Sequence, residues 1–214
     1  MIRSIATAAT VLALAGSALL PATAPAQAAP LPSPTISTAM DVDGDGLVDT
    51  VELFKMTATR YLIQVTTATR ISGVFFNSTY PGDWGEPDPW FGAAKLDKAK
   101  GYELMVYRWG GDGVGFTVYT WRSGRLVAEK APAAPLVSGW YLGGQGYRFF
   151  DSKGKRYVDV SALAGNTAGT IWTGKVVRSV WKSDHWAKLS TRKVKLSTAK
   201  ANAYIGFNGV TILK

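Results

Sequence analysis

The chain has 214 residues, with 24 Lys and Arg against 15 Asp and Glu, which gives a formal net charge of +9. It contains no cysteine, and this excludes disulfides, thiol catalysis, cysteine-ligated zinc and iron–sulfur clusters. The length is sufficient for one domain, or two small ones, with a hydrophobic core that needs no covalent staple.

The N-terminal segment 1–28 is typical of a secretory signal peptide. Arg3 supplies a short positive start, residues 5–20 form an apolar run, and Ala26-Gln27-Ala28 is a small-residue cleavage site. The apolar run is shorter than the ~20 residues of a membrane-spanning helix. We therefore expect export, to the extracellular space or the cell wall of a Gram-positive organism. Residues 29–38 read as a linker and residues 39–214 as the folded domain.

Residues 41–49, DVDGDGLVD, are the most informative stretch of the chain. They place carboxylates at positions 1, 3, 5 and 9 of a calcium loop, with Gly46 at position 6, where a sharp turn is required. Four carboxylates this close repel one another unless a cation neutralises them. The pattern predicts a Ca²⁺ site whose carboxylate ligands are Asp41, Asp43, Asp45 and Asp49.

Glu52 stands at position 12 of this loop and completes the pattern of a helix-flanked EF-hand. The flanking sequence argues against helices, because prolines punctuate residues 30–34 and β-branched and aromatic residues dominate residues 50–67. If a strand leaves the loop, Glu52 can point away from the ion, so its role as a ligand stays open.

A second copy of the loop pattern occurs further along the chain. Residues 93–105 align without gaps on residues 39–51, so that Asp97 replaces Asp43 and Glu103 replaces Asp49. Lys95, Lys98 and Lys100 enter this copy, and we expect it to bind no calcium, with a lysine ammonium near the position of the ion. A weaker echo links residues 118–123 to residues 179–183. The pattern suggests diverged units at about 39–92, 93–145 and 146–214.

Short runs rich in β-branched and aromatic residues alternate with Gly, Ser and Asp turns along the rest of the chain. No long stretch outside the signal peptide has apolar residues at helical spacing. This spacing of strands and turns predicts an all-β domain.

The acidic loop followed by a strand resembles the calcium loop of FG-GAP/VCBS repeats, and Phe91-Gly92-Ala93-Ala94 resembles the phrase that names that family. The resemblance implies blades of an integrin-type β-propeller, with Leu47 adding its carbonyl to the four aspartates as a calcium ligand. Closed propellers need about four to eight blades, and this chain has room for about three units. A partial propeller that oligomerises, an open repeat sheet and a sandwich all remain open.

Charge is distributed unevenly between the two halves of the chain. Residues 29–112 carry a net charge of −4, and residues 113–214 carry +12. Such a surface attracts polyanions through screened forces. We expect a basic face that binds an anionic polymer or glycan of the cell envelope, with no intracellular nucleic acid as partner. Its residues are Lys175, Arg178, Lys182, Lys193 and Lys195. A merely solvated surface is the alternative.

The loop at residues 82–90 has two further interpretations. Trp84 and Trp90 could stack on sugar rings, although packing in a core explains most aromatic residues as well. Asp83, Glu86 and Asp88 could supply a glycosidase carboxylate pair, which makes a secreted carbohydrate-active hydrolase the rival function. His185, the single histidine, lies in a turn, and no Gly-x-Ser-x-Gly elbow is present. Binding without catalysis is therefore the prediction.

Overall fold

A computed structural model describes residues 30–80, 88–110, 113–133, 137–139 and 143–214, with backbone alone for 137–139. The predicted signal peptide lies outside these residues, as does most of the Trp84 loop. The all-β prediction is confirmed, and none of the three described sheets closes into a barrel. The described residues contain no helix of the length and hydrophobicity that a membrane span requires.

The first sheet is a four-stranded antiparallel meander. It consists of β1 (Ile36–Met40), β2 (Asp49–Lys55), β3 (Arg60–Thr66) and β4 (Ile71–Asn77), paired in that order. Val51 lies opposite Val65 and Ile63 opposite Val74, so β-branched side chains face each other across neighbouring strands.

The second sheet repeats this arrangement. It consists of β5 (Trp90–Ala94), β6 (Glu103–Trp109), β7 (Gly113–Arg122) and β8 (Arg125–Ala128), with β9 (Val137–Gly139) pairing the start of β7. β5 and β6 have the same lengths as β1 and β2, and they follow those strands at the spacing that separates the two loops in the sequence. β5 and β6 therefore lie where the alignment of the two loops places the counterparts of β1 and β2.

The third sheet has longer strands and a C-terminal cover. Its elements are β10 (Gly143–Ser152), β11 (Lys155–Gly165), β12 (Ile171–Lys182), β13 (His185–Ser197), α1 (Thr198–Ala201), a 3₁₀ turn (Asn202–Tyr204) and β14 (Gly206–Asn208). The strand order is β13-β12-β11-β10-β14, and β14 runs parallel to β10. The sheets begin at residues 36, 90 and 143, close to the expected unit starts at 39, 93 and 146.

The second sheet packs on both of its faces. Leu104 and Val106 of β6 join a core with the first sheet, which includes Val51 and Ile63. The alternate residues Met105 and Tyr107 join a second core with Tyr147, Phe149 and Val158 of the third sheet. β6 therefore reads as a continuous apolar run because neither face meets solvent. The three sheets form a layered stack in chain order.

Candidate metal centre and charged faces

The first acidic loop connects β1 to β2. The carboxylate of Asp41 accepts hydrogen bonds from the backbone N–H of Gly44 at 2.7 Å and of Gly46 at 3.2 Å. Both glycines adopt left-handed φ angles, of 80° and 90° respectively. The turn folds the loop back on itself, so that carboxylate oxygens of Asp41, Asp43 and Asp49 lie within 4.8 Å of one another.

Asp49 is the buried member of this group, with 1% of its surface exposed. Its Oδ2 accepts hydrogen bonds from the N–H of Val42 at 2.7 Å and of Asp43 at 3.2 Å. Its Oδ1 is buried and has no hydrogen-bond partner among the described residues. A buried carboxylate oxygen without a donor is costly, and a bound cation would satisfy it.

The remaining predicted ligands of the loop differ in position. Asp45 lies outside the group of converging oxygens, and its Oδ1 accepts a hydrogen bond from Leu47 N–H at 2.7 Å. Leu47 itself is 57% exposed. Glu52 lies three positions after Asp49 in β2 and therefore on the opposite face of the strand. The strands on both sides of the loop also exclude the helix-flanked EF-hand geometry.

The electrostatics of this group favour a cation. Burial, together with the neighbouring carboxylates of Asp49, Asp45 and Asp41, raises the pKa of Asp43. Three carboxylates supply only oxygen donors, the ligands that Ca²⁺ prefers. The chemistry of the donor set therefore fits calcium, with water able to complete the six to eight oxygens that this ion takes.

The second loop, residues 95–102, has the same backbone frame. Leu96 N–H donates to Glu103 Oε2 at 2.7 Å, which reproduces the bond from Val42 N–H to Asp49 in the first loop. Asp97, Glu103 and Glu129 bring carboxylate oxygens within 4.8 Å of one another. Glu129, which lies just after β8, is a member that the sequence pattern does not indicate.

Arg122, rather than a lysine, supplies the positive charge in this second group. Its Nη2 lies 2.5 Å from Asp97 Oδ2, and its guanidinium also lies over the ring of Trp181 at 5.7 Å. The expectation of a lysine at this position is wrong for the described residues. Lys95 lies over the ring of Tyr102 instead, and Lys98 pairs with Asp151 at 3.6 Å.

Protons provide the rest of the neutralisation in the second group. Burial, and then the charge of Asp97, raises the pKa of Glu103 to about 8. Burial and Asp97 likewise raise the pKa of Glu129 to about 7, although Trp186 Nε1 donates to Glu129 Oε1 at 2.8 Å. Burial also raises the pKa of Asp97, against the opposing effect of its bonds to Ala99 and Arg122. At neutral pH, therefore, bound protons reduce the negative charge of this group, in addition to the guanidinium of Arg122.

The two loops contact each other closely. Tyr102 N–H donates to the carbonyl of Asp41 at 3.0 Å. A Cβ on Gly101 would lie 2.2 Å from the carbonyl oxygen of Val42, and one on Gly44 would lie 2.2 Å from Cβ of Lys100. Only glycine fits these two positions without movement of the facing loop. Order in the first loop is therefore coupled to order in the second.

The five basic residues expected to form one face lie on both faces of the third sheet. Lys175 lies directly opposite Lys193, and Lys195 lies two positions further along β13, so these three share a face. Arg178 is three positions and Lys182 seven positions from Lys175 in β12, which puts both on the other face. The single basic face expected from the sequence is therefore wrong.

The face that holds Arg178 contains two further arginines that are not among the five expected residues. Arg148 of β10, Asp159 of β11 and Arg178 of β12 occupy one cross-strand row, and Arg192 of β13 lies in the adjacent row. Asp159 is fully buried and accepts a bidentate pair from Arg178, at 2.7 Å from Nε and 2.8 Å from Nη2. These residues come from different strands, and the register that brings them together is not readable from one sequence.

The aromatic loop gives a mixed result. Trp84, Asp83 and Glu86 lie outside the described residues. Trp90 is 3% exposed and packs in the core between the first two sheets, so it is not available to stack on a sugar. His185 is exposed at the start of β13 and its Nδ1 lies 2.7 Å from Oδ1 of Asp184, which it adjoins.

Comparison with known proteins gives no further identification. No family model matches the chain, and neither the curated proteins nor the solved structures contain a match to it. The FG-GAP/VCBS resemblance therefore stays a prediction that depends on the residues of the two loops.

Proposed function

We propose that this protein is a secreted, calcium-stabilised β-repeat protein that binds an anionic ligand at the cell envelope. On this proposal the first two sheets are diverged repeats of the FG-GAP/VCBS type, and calcium is bound by the first loop alone. The protein acts by presenting a rigid, charged surface rather than by catalysing a reaction.

One observation supports calcium above all. Asp41, Asp43 and Asp49 direct carboxylate oxygens to within 4.8 Å of one another, and the buried Oδ1 of Asp49 has no donor among the described residues. The backbone N–H groups of the turn are used to hold the carboxylates in place. A cation at this point would neutralise the group and supply the missing partner of Asp49.

Calcium bound there would stabilise more than its own loop. The carbonyl of Asp41 accepts a hydrogen bond from Tyr102, and Arg156 of the third sheet donates from Nε to the carbonyl of Leu96 at 2.9 Å. Arg156 also donates from Nη2 to the carbonyl of Lys95 at 2.9 Å. These contacts connect the first loop to the second loop and the second loop to the third sheet. Extracellular calcium is abundant enough to fill even a weak site of this class.

Thermal unfolding in calcium and in EDTA tests the proposal. Binding to the native state alone stabilises it by about 2.7 kcal/mol when free calcium is a hundredfold above Kd. We expect a higher melting temperature in millimolar calcium than in EDTA. Asp43→Asn should remove this difference, because one of the three converging carboxylates is lost.

Glu52→Gln is the matched control. It removes one negative charge from the same segment, but Glu52 lies on the opposite face of β2 from Asp49. The calcium response of this variant should equal that of the wild type. A wild-type melting temperature that does not change with calcium would refute the metal site. If both variants lost the calcium response equally, the response would come from general screening of negative charge and not from a specific site.

A further inference from the structure

Three arginines converge on the face of the third sheet that the C-terminal turn partly covers. Arg192 Nη2 donates to the hydroxyl of Tyr204 at 2.9 Å, and Arg148 Nη1 donates to the same oxygen at 3.4 Å. Arg192 Nη2 also lies 3.7 Å from Oδ2 of Asp159, the oxygen to which Arg178 donates. We call Arg148, Arg178 and Arg192 the arginine cluster.

The arginine cluster has many more donors than the protein satisfies. A guanidinium carries five N–H groups, so three of them carry fifteen. Arg178 makes two hydrogen bonds to described residues, and Arg148 and Arg192 make one each. Asp159 is the single acid that the described strands place on this face, and it leaves two of the three positive charges unbalanced.

Solvent exposure distinguishes the arginine cluster from Arg156, a buried arginine of the same sheet. Arg156 is 9% exposed and donates to two backbone carbonyls and to Asp151, so its donors serve the fold. The side chains of Arg178 and Arg192 are 39% and 45% exposed, and Arg148 is exposed as well. The side chains of the arginine cluster therefore reach solvent.

Aromatic rings hold the guanidinium groups in place. Arg148 and Arg178 lie over the ring of Phe150 at 5.8 and 5.0 Å, and Arg148 and Arg192 lie over the ring of Tyr204 at 5.5 and 5.7 Å. Cation–π contacts of this kind reduce the motion that a guanidinium would lose on binding a ligand. The cluster is thus ordered before any ligand arrives.

We propose that the arginine cluster is the binding site for the phosphate groups of a phosphodiester polymer that lacks bases, such as a poly(glycerol phosphate). This inference rests on the proposed function, because it names the ligand class and the site of the same binding activity. The buried carboxylate of Asp159 orients the guanidinium of Arg178. The phosphate groups of the ligand accept hydrogen bonds from the N–H groups of the arginine cluster that remain unused.

The arrangement favours phosphate over carboxylate. A planar carboxylate fits one guanidinium fork, and Asp159 already occupies the fork of Arg178 in that way. The remaining donors come from three strands, and those of Arg148 and Arg192 meet at the hydroxyl of Tyr204. A tetrahedral phosphate can accept from several directions at once, and arginine is the preferred residue for this contact.

The same contacts disfavour a nucleic acid. Binding of single strands depends on aromatic rings whose faces are open for base stacking. Phe150 stacks on Tyr157 at 5.3 Å and also lies beneath two guanidinium groups, and Tyr204 lies beneath two as well. The rings of Phe150 and Tyr204, which lie beside the arginine cluster, are therefore occupied by protein groups.

Titration of the protein with poly(glycerol phosphate), in millimolar calcium at low salt, tests the inference with two charge-matched double variants. Arg148→Gln with Arg192→Gln removes two charges from the arginine cluster but leaves Arg178 on the buried Asp159. Lys193→Gln with Lys195→Gln removes two charges from the opposite face. We expect the arginine variant to bind about tenfold more weakly or worse, and the lysine variant to bind within about threefold of wild type.

Three further measurements make the result decisive. Both double variants should retain the calcium-dependent melting shift, which shows that they fold and that the metal site is intact. Arg148→Lys with Arg192→Lys retains charge without the fork, so its affinity should stay well below wild type. Polygalacturonate and single-stranded DNA, matched in charge concentration, should bind more weakly than poly(glycerol phosphate).

Equal losses in the two Gln variants, or full recovery in the Lys variant, would overturn the arginine cluster as the site while leaving envelope binding by the protein in place. Tighter binding of single-stranded DNA or of polygalacturonate would overturn the ligand class. Absence of binding by the wild type, with the calcium shift intact, would overturn the binding activity but not the metal site.

Discussion

The two acidic loops of this protein share a backbone frame and neutralise their charge in different ways. In each, the backbone N–H of an apolar residue within the loop donates at 2.7 Å to a buried carboxylate at the start of the following strand. In the first loop that carboxylate, Asp49, keeps an oxygen without a partner among the described residues. In the second loop, Arg122 and the raised pKa values of Glu103 and Glu129 compensate the charge.

Backbone conformation separates the loops as well. The first has glycines with positive φ at residues 44 and 46, and lysines occupy the corresponding positions 98 and 100 of the second loop. Within the described chain, these lysines do not adopt positive φ, and the left-handed residue of the second loop is Gly101. The comparison teaches that two loops can share a frame set by strand pairing although the turns within them differ.

Among the changes that test this comparison, removal of Arg122 should have the largest effect on the free energy of unfolding. Asp97 is fully buried at its side chain, and Arg122→Ala would leave it without its cationic partner. Loss of one partner of a buried ion pair costs about 3–5 kcal/mol, and we expect a corresponding fall in the free energy of unfolding in EDTA. Arg125→Ala, at an exposed position in the neighbouring strand, should cost less than about 0.5 kcal/mol.

Calcium should partly rescue the Arg122→Ala variant. Without the guanidinium, Asp97, Glu103 and Glu129 form a second group of converging carboxylates that can accept a cation. Calorimetric titration should show one calcium site of this kind in the wild type and two in Arg122→Ala. If Arg122→Ala were as stable as the wild type in EDTA, Arg122 would not have the role in the second group that a cation is proposed to have in the first.

The next largest effect should be in the pH dependence of stability, to which the second loop contributes through Glu103. The native pKa of Glu103 is raised to about 8 from an ordinary 4.5, so the native state binds the proton more tightly than the unfolded chain does. This contribution to stability is complete below pH 4.5 and is lost as the pH rises through 8. At about 1.4 kcal/mol per pH unit, the decline over that window is at most about 5 kcal/mol.

Denaturant unfolding in EDTA from pH 5 to pH 9 measures this decline. Glu103→Gln should make the decline shallower, because a neutral amide retains an acceptor for Leu96 N–H and cannot ionise, while the contribution of Glu129 remains. Asp151→Asn, at a side chain that is 53% exposed, is the control and should leave the slope unchanged. An equal slope in wild type and Glu103→Gln would show that Glu103 is not the group that titrates.

The sequence predicted the parts of this architecture that depend on local patterns. The all-β class followed from strand-length runs and turns, and the spacing of the two loops is also the spacing of β1 and β2 from β5 and β6. Groups that form across strands were not predictable in this way. Glu129 joins Asp97 from after β8, and Arg148, Asp159 and Arg178 meet because of the register of three strands. Register depends on how a whole sheet packs, which a single sequence does not specify.

Replacement of Gly46 should give the smallest effect and the most specific one. Its φ is 90° and a Cβ there would contact nothing within 4 Å, so alanine adds backbone strain of about 1 kcal/mol and no clash. Gly154 in the β10–β11 hairpin is a matched position, with a φ of 72° and equally open space. In EDTA both alanine variants should lose about the same stability. In calcium Gly46→Ala alone should lose more, because its N–H is one of the two that hold the Asp41 carboxylate in the turn proposed to bind the ion. Equal losses of the two variants in calcium would show that the turn at Gly46 contributes nothing to metal affinity.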